Sequence, residues 1–202
     1  VHKAEQTTLE RPGFLSKDGL TAAEMGTALH AFLEHADFAA LAEAKAAGTL
    51  DEAIGAERDR QAAAQLTAPE IAAKLDAVRI RRFVPSEAFA KICAAQQVLR
   101  ELAFITALPA AEVLAAQGSP APDTAPEAQV LVQGIADLVL VYPDHLELLD
   151  YKTDRRKTAA DFVRAYKPQL DLYALAVGKR FAPKPVTYKG IYSLELGRLI
   201  EV

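Results

Sequence analysis

Two carboxylates and a lysine occupy positions where buried strands should carry apolar side chains. Within residues 133–153, Q-G-I-A-D-L-V-L-V-Y-P-D-H-L-E-L-L-D-Y-K-T, Asp137 interrupts one apolar run, and Asp150 and Lys152 close the next. Both runs are apolar at nearly every position, which predicts strands covered on both faces. A charge in such a strand is costly unless it is paired or holds a metal ion. Pro143, Asp144 and His145 between the runs predict a tight turn.

Side chains alternate along a strand, so Asp150 and Lys152 share one face and Tyr151 takes the other. In an antiparallel hairpin, directly opposed residues share a face. An even loop therefore brings Asp137 to the face of Asp150, and a two-residue loop, Pro143-Asp144, sets them directly opposite. Two carboxylates about 5 Å apart at Cβ make a divalent-cation site with a lysine beside it. The plainer reading is a buried ion pair of Lys152 with Asp137 or Asp150.

The elements that must position these groups follow from periodicity and caps. Thr21 and Glu24 form a capping-box signature, and Met25, Leu29, Phe32 and Ala36 after it make a helical core stripe. Gly26 and His30 lie one turn apart on a neighbouring column. A lone histidine there is most often structural, and Gly26 permits close approach of another backbone. Residues 39–60 are alanine-rich and charged, with helical propensity. Thr67 and Glu70 predict a second capping box that opens a helix to about Phe83, and Ser86 caps a short helix to about Gln96. Residues 98–106 read as a strand in which Glu101 is another unexpected carboxylate, unless it faces solvent at an edge. Residues 110–128 read as a mobile loop. Residues 159–178 predict a helix with Phe162, Tyr166, Leu170 and Tyr173 along one side, Gln169 sharing a face with Tyr173, and Pro168 as a candidate kink. Residues 186–194 predict the last strand.

The order helices, strand, hairpin, helix, strand describes an α/β domain with a small mixed sheet and helices on both sides. Residues 1–19 read as a linker or arm. Residues 20–202 read as one domain, mainly helical over 20–96, with the sheet and its site over 97–202. The length of 202 residues suits one sizeable core. The single cysteine, Cys93, excludes a disulfide framework and any four-cysteine cluster within the chain. Neither a phosphate-binding glycine loop nor a nucleophile-elbow motif is present, so a nucleotide site has no support. With no signal peptide and no long apolar span, a cytoplasmic setting without membrane contact is the default. A start at Val1-His2-Lys3 suggests a piece of a longer protein. The net charge is −4, which alone argues against nucleic acid. From Tyr151 onward, however, eleven Lys and Arg face five Asp and Glu, so a basic face is available.

Together the motifs resemble the AddA/RecB-type nuclease domains of the PD-(D/E)XK superfamily. G-T-A-L-H at residues 26–30, R-E-L-A-F at 100–104, G-I-A-D at 134–137, L-D-Y-K-T-D at 149–154 and Y-K-P-Q-L-D-L-Y at 166–173 appear in the family's order. The D-Y-K-T-D-R form is most similar to the AddA branch. AddB-like relatives carry an iron–sulfur cluster, which this chain cannot build. The resemblance implies a restriction-endonuclease-like fold with an extra N-terminal helical layer. It implies metal ligands at His30, Asp137, Asp150 and the Tyr151 backbone carbonyl, with Lys152 acting on the attacking water and the phosphate. Gln169, Tyr173 and Tyr166 would support the site or touch DNA, and Glu101 would stand behind the ligands. The R-E-L-A-F strand lacks a proline often found there in the family.

The resemblance further implies Mg²⁺, with Mn²⁺ also suitable, and hydrolysis of DNA phosphodiesters within an ATP-dependent helicase–nuclease that processes double-strand breaks. Its partners would be DNA, a helicase portion of the same full-length chain and an AddB-like protein. Two other readings compete. One is a catalytically silent DNA-binding or docking module of the same fold. The other is a structural domain with a buried ion pair.

Overall fold

The computed structural model describes residues 22–119, 127–155 and 157–202. Six helices come first: α1 Ala22–His35, α2 Phe38–Ala47, α3 Leu50–Ala63, α4 Pro69–Ala72, α5 Ala77–Phe83 and α6 Glu87–Ala94. Then follow β1 Gln97–Pro109, α7 Ala110–Ala116, β2 Gln129–Val141, β3 Leu146–Lys152, α8 Ala159–Arg180, β4 Val186–Ser193 and β5 Arg198–Glu201. The strands form one mixed sheet in the order β1-β2-β3-β4-β5. Only the β3–β4 pair is parallel, and α8 makes its crossover, as a parallel pair requires.

Both faces of the sheet are covered, as the continuous apolar runs predict. Leu138, Leu140, Leu149 and Tyr151 pack with Leu29, Phe32 and Phe83 of the N-terminal helices. Val139, Val141, Leu146 and Leu148 alternate to the opposite face and pack under Ala176 and Val177 of α8. Every β3 residue before Lys152 is buried. Burying a side chain such as Leu149 contributes about 1.5–3 kcal/mol.

The hairpin turn has the predicted length. Tyr142 N–H donates to the His145 carbonyl at 3.0 Å, leaving Pro143 and Asp144 as the two-residue loop, and the register runs from Val141 opposite Leu146 to Leu138 opposite Leu149.

Several local expectations need correction. The alanine-rich stretch is two helices, parted where Gly48 adopts a left-handed φ of 76°. Thr67 does not cap the next helix: its hydroxyl turns inward to Gln61 Oε1 at 3.3 Å. The chain stops after four helical residues and restarts at Asp76, whose carboxylate accepts from Val78 N–H. Residues 110–116 are helical and bury Val113. Of the segment read as a mobile loop, 120–126 lies outside the described residues, as do the 1–19 arm and the Thr21 cap. Helix α8 runs through Pro168, and Thr158 with Asp161 supplies a full capping box at its start. A fifth strand follows a turn at Gly197, where φ is 66°.

Candidate active site

Asp137 lies between two carboxylates in register. On one side, β1 pairs Arg100 with Leu138 and Leu102 with Ala136, leaving Glu101 and Asp137 facing each other in an interrupted ladder. On the other side, one further step of the β2–β3 register sets Asp137 opposite Asp150. Three neighbouring strands thus bring three acids to one row across the sheet.

The ladder breaks there because side chains replace backbone partners. Tyr151 N–H donates to Asp137 Oδ2 at 2.8 Å instead of to a carbonyl of β2. A strand residue's N–H and C=O point to the same side, so the Tyr151 carbonyl faces the same gap. Glu101 sits at φ 44°, a left-handed conformation that costs a non-glycine residue about 1–3 kcal/mol.

Helix α1 supplies the fourth group. His30 Nδ1 lies 3.7 Å from Asp137 Oδ2, too far for a hydrogen bond. The His30 ring meets the Tyr151 ring edge-on at 6.0 Å. Ligand atoms of His30, Glu101 and Asp137 fall within 4.8 Å of one another. Asp150 is outside that trio. The three line a recess of about 470 Å³ with Gly26, Glu34 and Thr153.

Two contacts hold α1 at this distance. Arg100 Nη1 donates to the Glu34 and Ala36 carbonyls at 2.9 and 2.7 Å, tying the end of α1 to the strand that carries Glu101. Near the other end, a Cβ on Gly26 would meet Thr153 Oγ1 at 2.9 Å. Gly26 does allow a close approach, but of a side chain rather than of backbone.

Asp150 and Lys152 face α8 together, and Lys152 Nζ lies 2.6 Å from Asp150 Oδ2. That oxygen is buried and has no aligned hydrogen-bond donor, so the pair is an ion contact without a directed bond. Burial, and next the charge of Asp137, push the Asp150 carboxyl up to about 6 against the pull of Lys152. Burial, then Asp137, Glu34 and Asp150, push Glu101 up to about 7. Lys152 is raised: burial opposes its charge, but Asp150 outweighs it. Glu147, also buried on β3, shows the contrasting structural case, since both of its oxygens accept from Lys91 Nζ at 2.9 and 3.2 Å.

The α8 residues sit above this row. Gln169 Nε2 donates to the Tyr173 hydroxyl at 3.1 Å, the i,i+4 pair the sequence predicts. The Tyr173 ring packs edge-on against Phe104 at 5.0 Å and close over Gly134, where a Cβ would fall 2.9 Å from Tyr173 Cε1. Tyr166 touches neither His30 nor Asp137; its ring lies over Lys152 Nζ, 4.7 Å from centroid to nitrogen. Sequence reasoning missed Glu34, Thr153 as the neighbour of Gly26, and Asp154, which accepts from the Tyr166 hydroxyl at 2.8 Å.

A family model described as the PD-(D/E)XK nuclease superfamily matches residues 4–197. The chain belongs to this superfamily. It is similar to an ATP-dependent helicase/nuclease protein of Heliobacterium modesticaldum, 36% identical over 93% of this chain and 13% of the relative. It is likewise similar to the protein of the same name from Pelotomaculum thermopropionicum, 37% identical over 94% of the chain and 14% of the relative. That of Moorella thermoacetica is 39% identical over 88% and 12%. The chain thus spans about an eighth to a seventh of the length of these relatives.

The nuclease-superfamily side chains present suit a divalent cation. An imidazole and several carboxylates form an oxygen-rich donor set for a hard ion. The acids raise one another's pKa for want of a countercharge, and Asp150 Oδ2 is buried without a directed partner. Among the described residues no helix is long and apolar enough to cross a membrane.

Proposed function

We propose that this domain is a Mg²⁺-dependent deoxyribonuclease, with Mn²⁺ able to substitute. It would act as the exonuclease part of a helicase–nuclease that processes double-strand breaks for recombinational repair in the cytoplasm. The observation that carries the reading is the row Glu101–Asp137–Asp150 across β1, β2 and β3, met by His30 from α1, with Lys152 next to Asp150. Residues 20–202 act as one nuclease unit, with 1–19 as an arm. The relatives' name, ATP-dependent helicase/nuclease, supports a helicase region in the same full-length chain and an AddB-like partner.

His30, Asp137, Asp150 and the Tyr151 carbonyl would hold the cation, with Glu101 behind them. When bound, the cation polarises the phosphate and lowers the pKa of a water. Lys152 puts a compact positive charge beside Asp150, where negative charge builds on the phosphate oxygens as water adds and the P–O ester bond breaks. Gln169 and Tyr173 brace the sheet end from α8. The basic excess of the last third is partly spent internally: Lys157 pairs with Asp154, Arg164 with Asp161, and both Lys167 and Lys189 with Asp171. Few cations remain for phosphates, so DNA binding by the domain alone is expected to be weak and salt-sensitive.

The test is digestion of single-stranded and supercoiled DNA with Mg²⁺ and with EDTA. Cleavage only with Mg²⁺ supports the nuclease. DNA binding with no cleavage under any divalent cation makes the domain a silent binding or docking module.

A further inference from the structure

The nuclease reading needs Lys152 in place, and its contact with Asp150 is a poor hold. The Lys152 ammonium is near Asp150 Oδ2 but not aligned with it as a hydrogen bond. The same carboxylate is the one the nuclease reading gives to a cation, and a cation drawing on Asp150 loosens the pair. The ammonium has a second neighbour, the face of Tyr166 at 4.7 Å. A cation over an aromatic face is attracted by the ring's quadrupole, more strongly when partly desolvated.

Tyr166 is itself anchored from its far end. Its hydroxyl donates to Asp154 Oδ2 at 2.8 Å and receives Lys157 Nζ at 3.2 Å. Lys157 Nζ also lies 2.7 Å from Asp154 Oδ1. Asp154 stands two residues beyond Lys152, so the chain leaving β3 is fastened back onto α8 through this one phenol. Tyr166 also packs beside Phe162 at 6.1 Å. Packing alone asks for a ring and has no use for the hydroxyl's two partners.

The geometry points to Tyr166 as a positioning residue for Lys152, with Asp154 and Lys157 as its anchor. The ring keeps the ammonium beside the reacting phosphate once Asp150 is engaged elsewhere. This role rests on the nuclease reading.

The test compares Tyr166→Leu, Tyr166→Phe, Asp154→Asn, Lys152→Ala and Tyr166→Leu/Lys152→Ala in the whole chain. Single-turnover cleavage of a labelled single-stranded oligonucleotide at saturating Mg²⁺ is measured beside DNA affinity in EDTA and thermal melting. Tyr166→Leu is expected to slow cleavage about tenfold, on the scale of one cation–π contact, with DNA affinity unchanged within about twofold. Tyr166→Phe and Asp154→Asn keep the ring and free its anchor; each slows cleavage less, and to the same extent. In the Lys152→Ala background, Tyr166→Leu adds nothing, because its effect passes through the lysine. A geometric readout needs no activity: in metal-free protein with ¹³C-methylated lysines, the Lys152 signal carries the ring-current shift of Tyr166. It moves to the exposed-lysine position in Tyr166→Leu and stays shifted in Tyr166→Phe.

Additive losses in the double variant overturn the proposal. So does a fall in DNA affinity as large as the fall in rate, which would make Tyr166 a DNA contact, and so does an unshifted Lys152 signal in the wild type. If Tyr166→Leu fails to fold, the Phe and Asn variants and the wild-type signal still decide. Lys152→Ala cleaving at the wild-type rate defeats the assigned lysine, and wild type that never cleaves defeats the nuclease reading. Either failure is distinct from a wild-type enzyme whose Tyr166 variants cleave normally, which defeats this inference alone.

Discussion

Replacing Gly26 by alanine tests whether the contact between α1 and the end of β3 positions His30. The added Cβ would lie 2.9 Å from Thr153 Oγ1 where ordinary contact begins at 3.4 Å, a shortfall of about 0.5 Å (3.4 minus 2.9). Thr153 is short and β-branched, so it has little freedom to yield. Helix α1 is tied at its other end by Arg100, so relief must tilt the segment that carries His30. Alanine gains about 1 kcal/mol of helix propensity over glycine, against an overpacking cost of about 1–3 kcal/mol. The net expectation is a loss of about 0–2 kcal/mol, a small change in melting temperature. Ligating groups need placement within about 0.5 Å, so Mn²⁺ affinity by calorimetry should fall about tenfold. Gly26→Ala/Thr153→Ala removes the offending Oγ1 and should recover the affinity while keeping the helix gain. If Gly26→Ala is about 1 kcal/mol more stable with full Mn²⁺ affinity, the contact does not position His30.

Three further outcomes follow from the same geometry. His30→Ala should cost about 1 kcal/mol of stability, the scale of one edge-on aromatic contact, yet weaken Mn²⁺ binding by at least the ~10–100-fold seen for outer partners of metal sites; unfolding with affinity intact would make His30 structural. Lys152→Ala should keep cation and DNA binding while slowing single-turnover cleavage about 10²-fold or more, and Lys152→Arg should recover little because a planar fork does not replace a point charge. Glu57 supplies a pH test away from the site: burial pushes its carboxyl up, but bonds from Arg60, Gln61 and the Asp37 N–H outweigh that and hold it below 4.5. Its stabilising share is therefore present above pH 4.5 and lost as pH falls through the lowered value, so Glu57→Gln should flatten the acid limb of the melting-temperature curve, and an unchanged limb refutes this.

What was legible in the sequence was whatever depends on local period. Loop parity between Val141 and Leu146 and the two-residue alternation of a strand were enough to oppose Asp137 to Asp150 and to place Lys152 beside the latter. The i,i+4 pair of Gln169 and Tyr173 was readable for the same reason. The rest depends on contacts distant in sequence. Glu101 reads as an edge residue until β1 and β2, joined by α7 and the segment after it, are paired and Glu101 takes a positive φ. Helix α7 was hidden by its Pro- and Gly-containing sequel, although A-A-E-V-L-A-A is built of good helix formers. Strand β5 is too short for periodicity and is held by Gly190 to Ser193 of β4. The false cap at Thr67 arose because its hydroxyl has a better, buried use on Gln61. The hold of Tyr166 on Lys152 joins an aromatic of α8 to a strand end, and no spacing rule links them.

The central claim is that Asp137 and Asp150 jointly hold a cation needed for phosphodiester cleavage. Calorimetric titration of Mg²⁺ and Mn²⁺ into wild type, Asp137→Asn and Asp150→Asn, paired with single-turnover DNA cleavage by the same samples, tests it most directly. The account expects both variants to melt no lower than metal-free wild type, because like charges that repel have been removed. It also expects both to lose cation binding and cleavage together. Cation-dependent cleavage at the wild-type rate in either variant would contradict it.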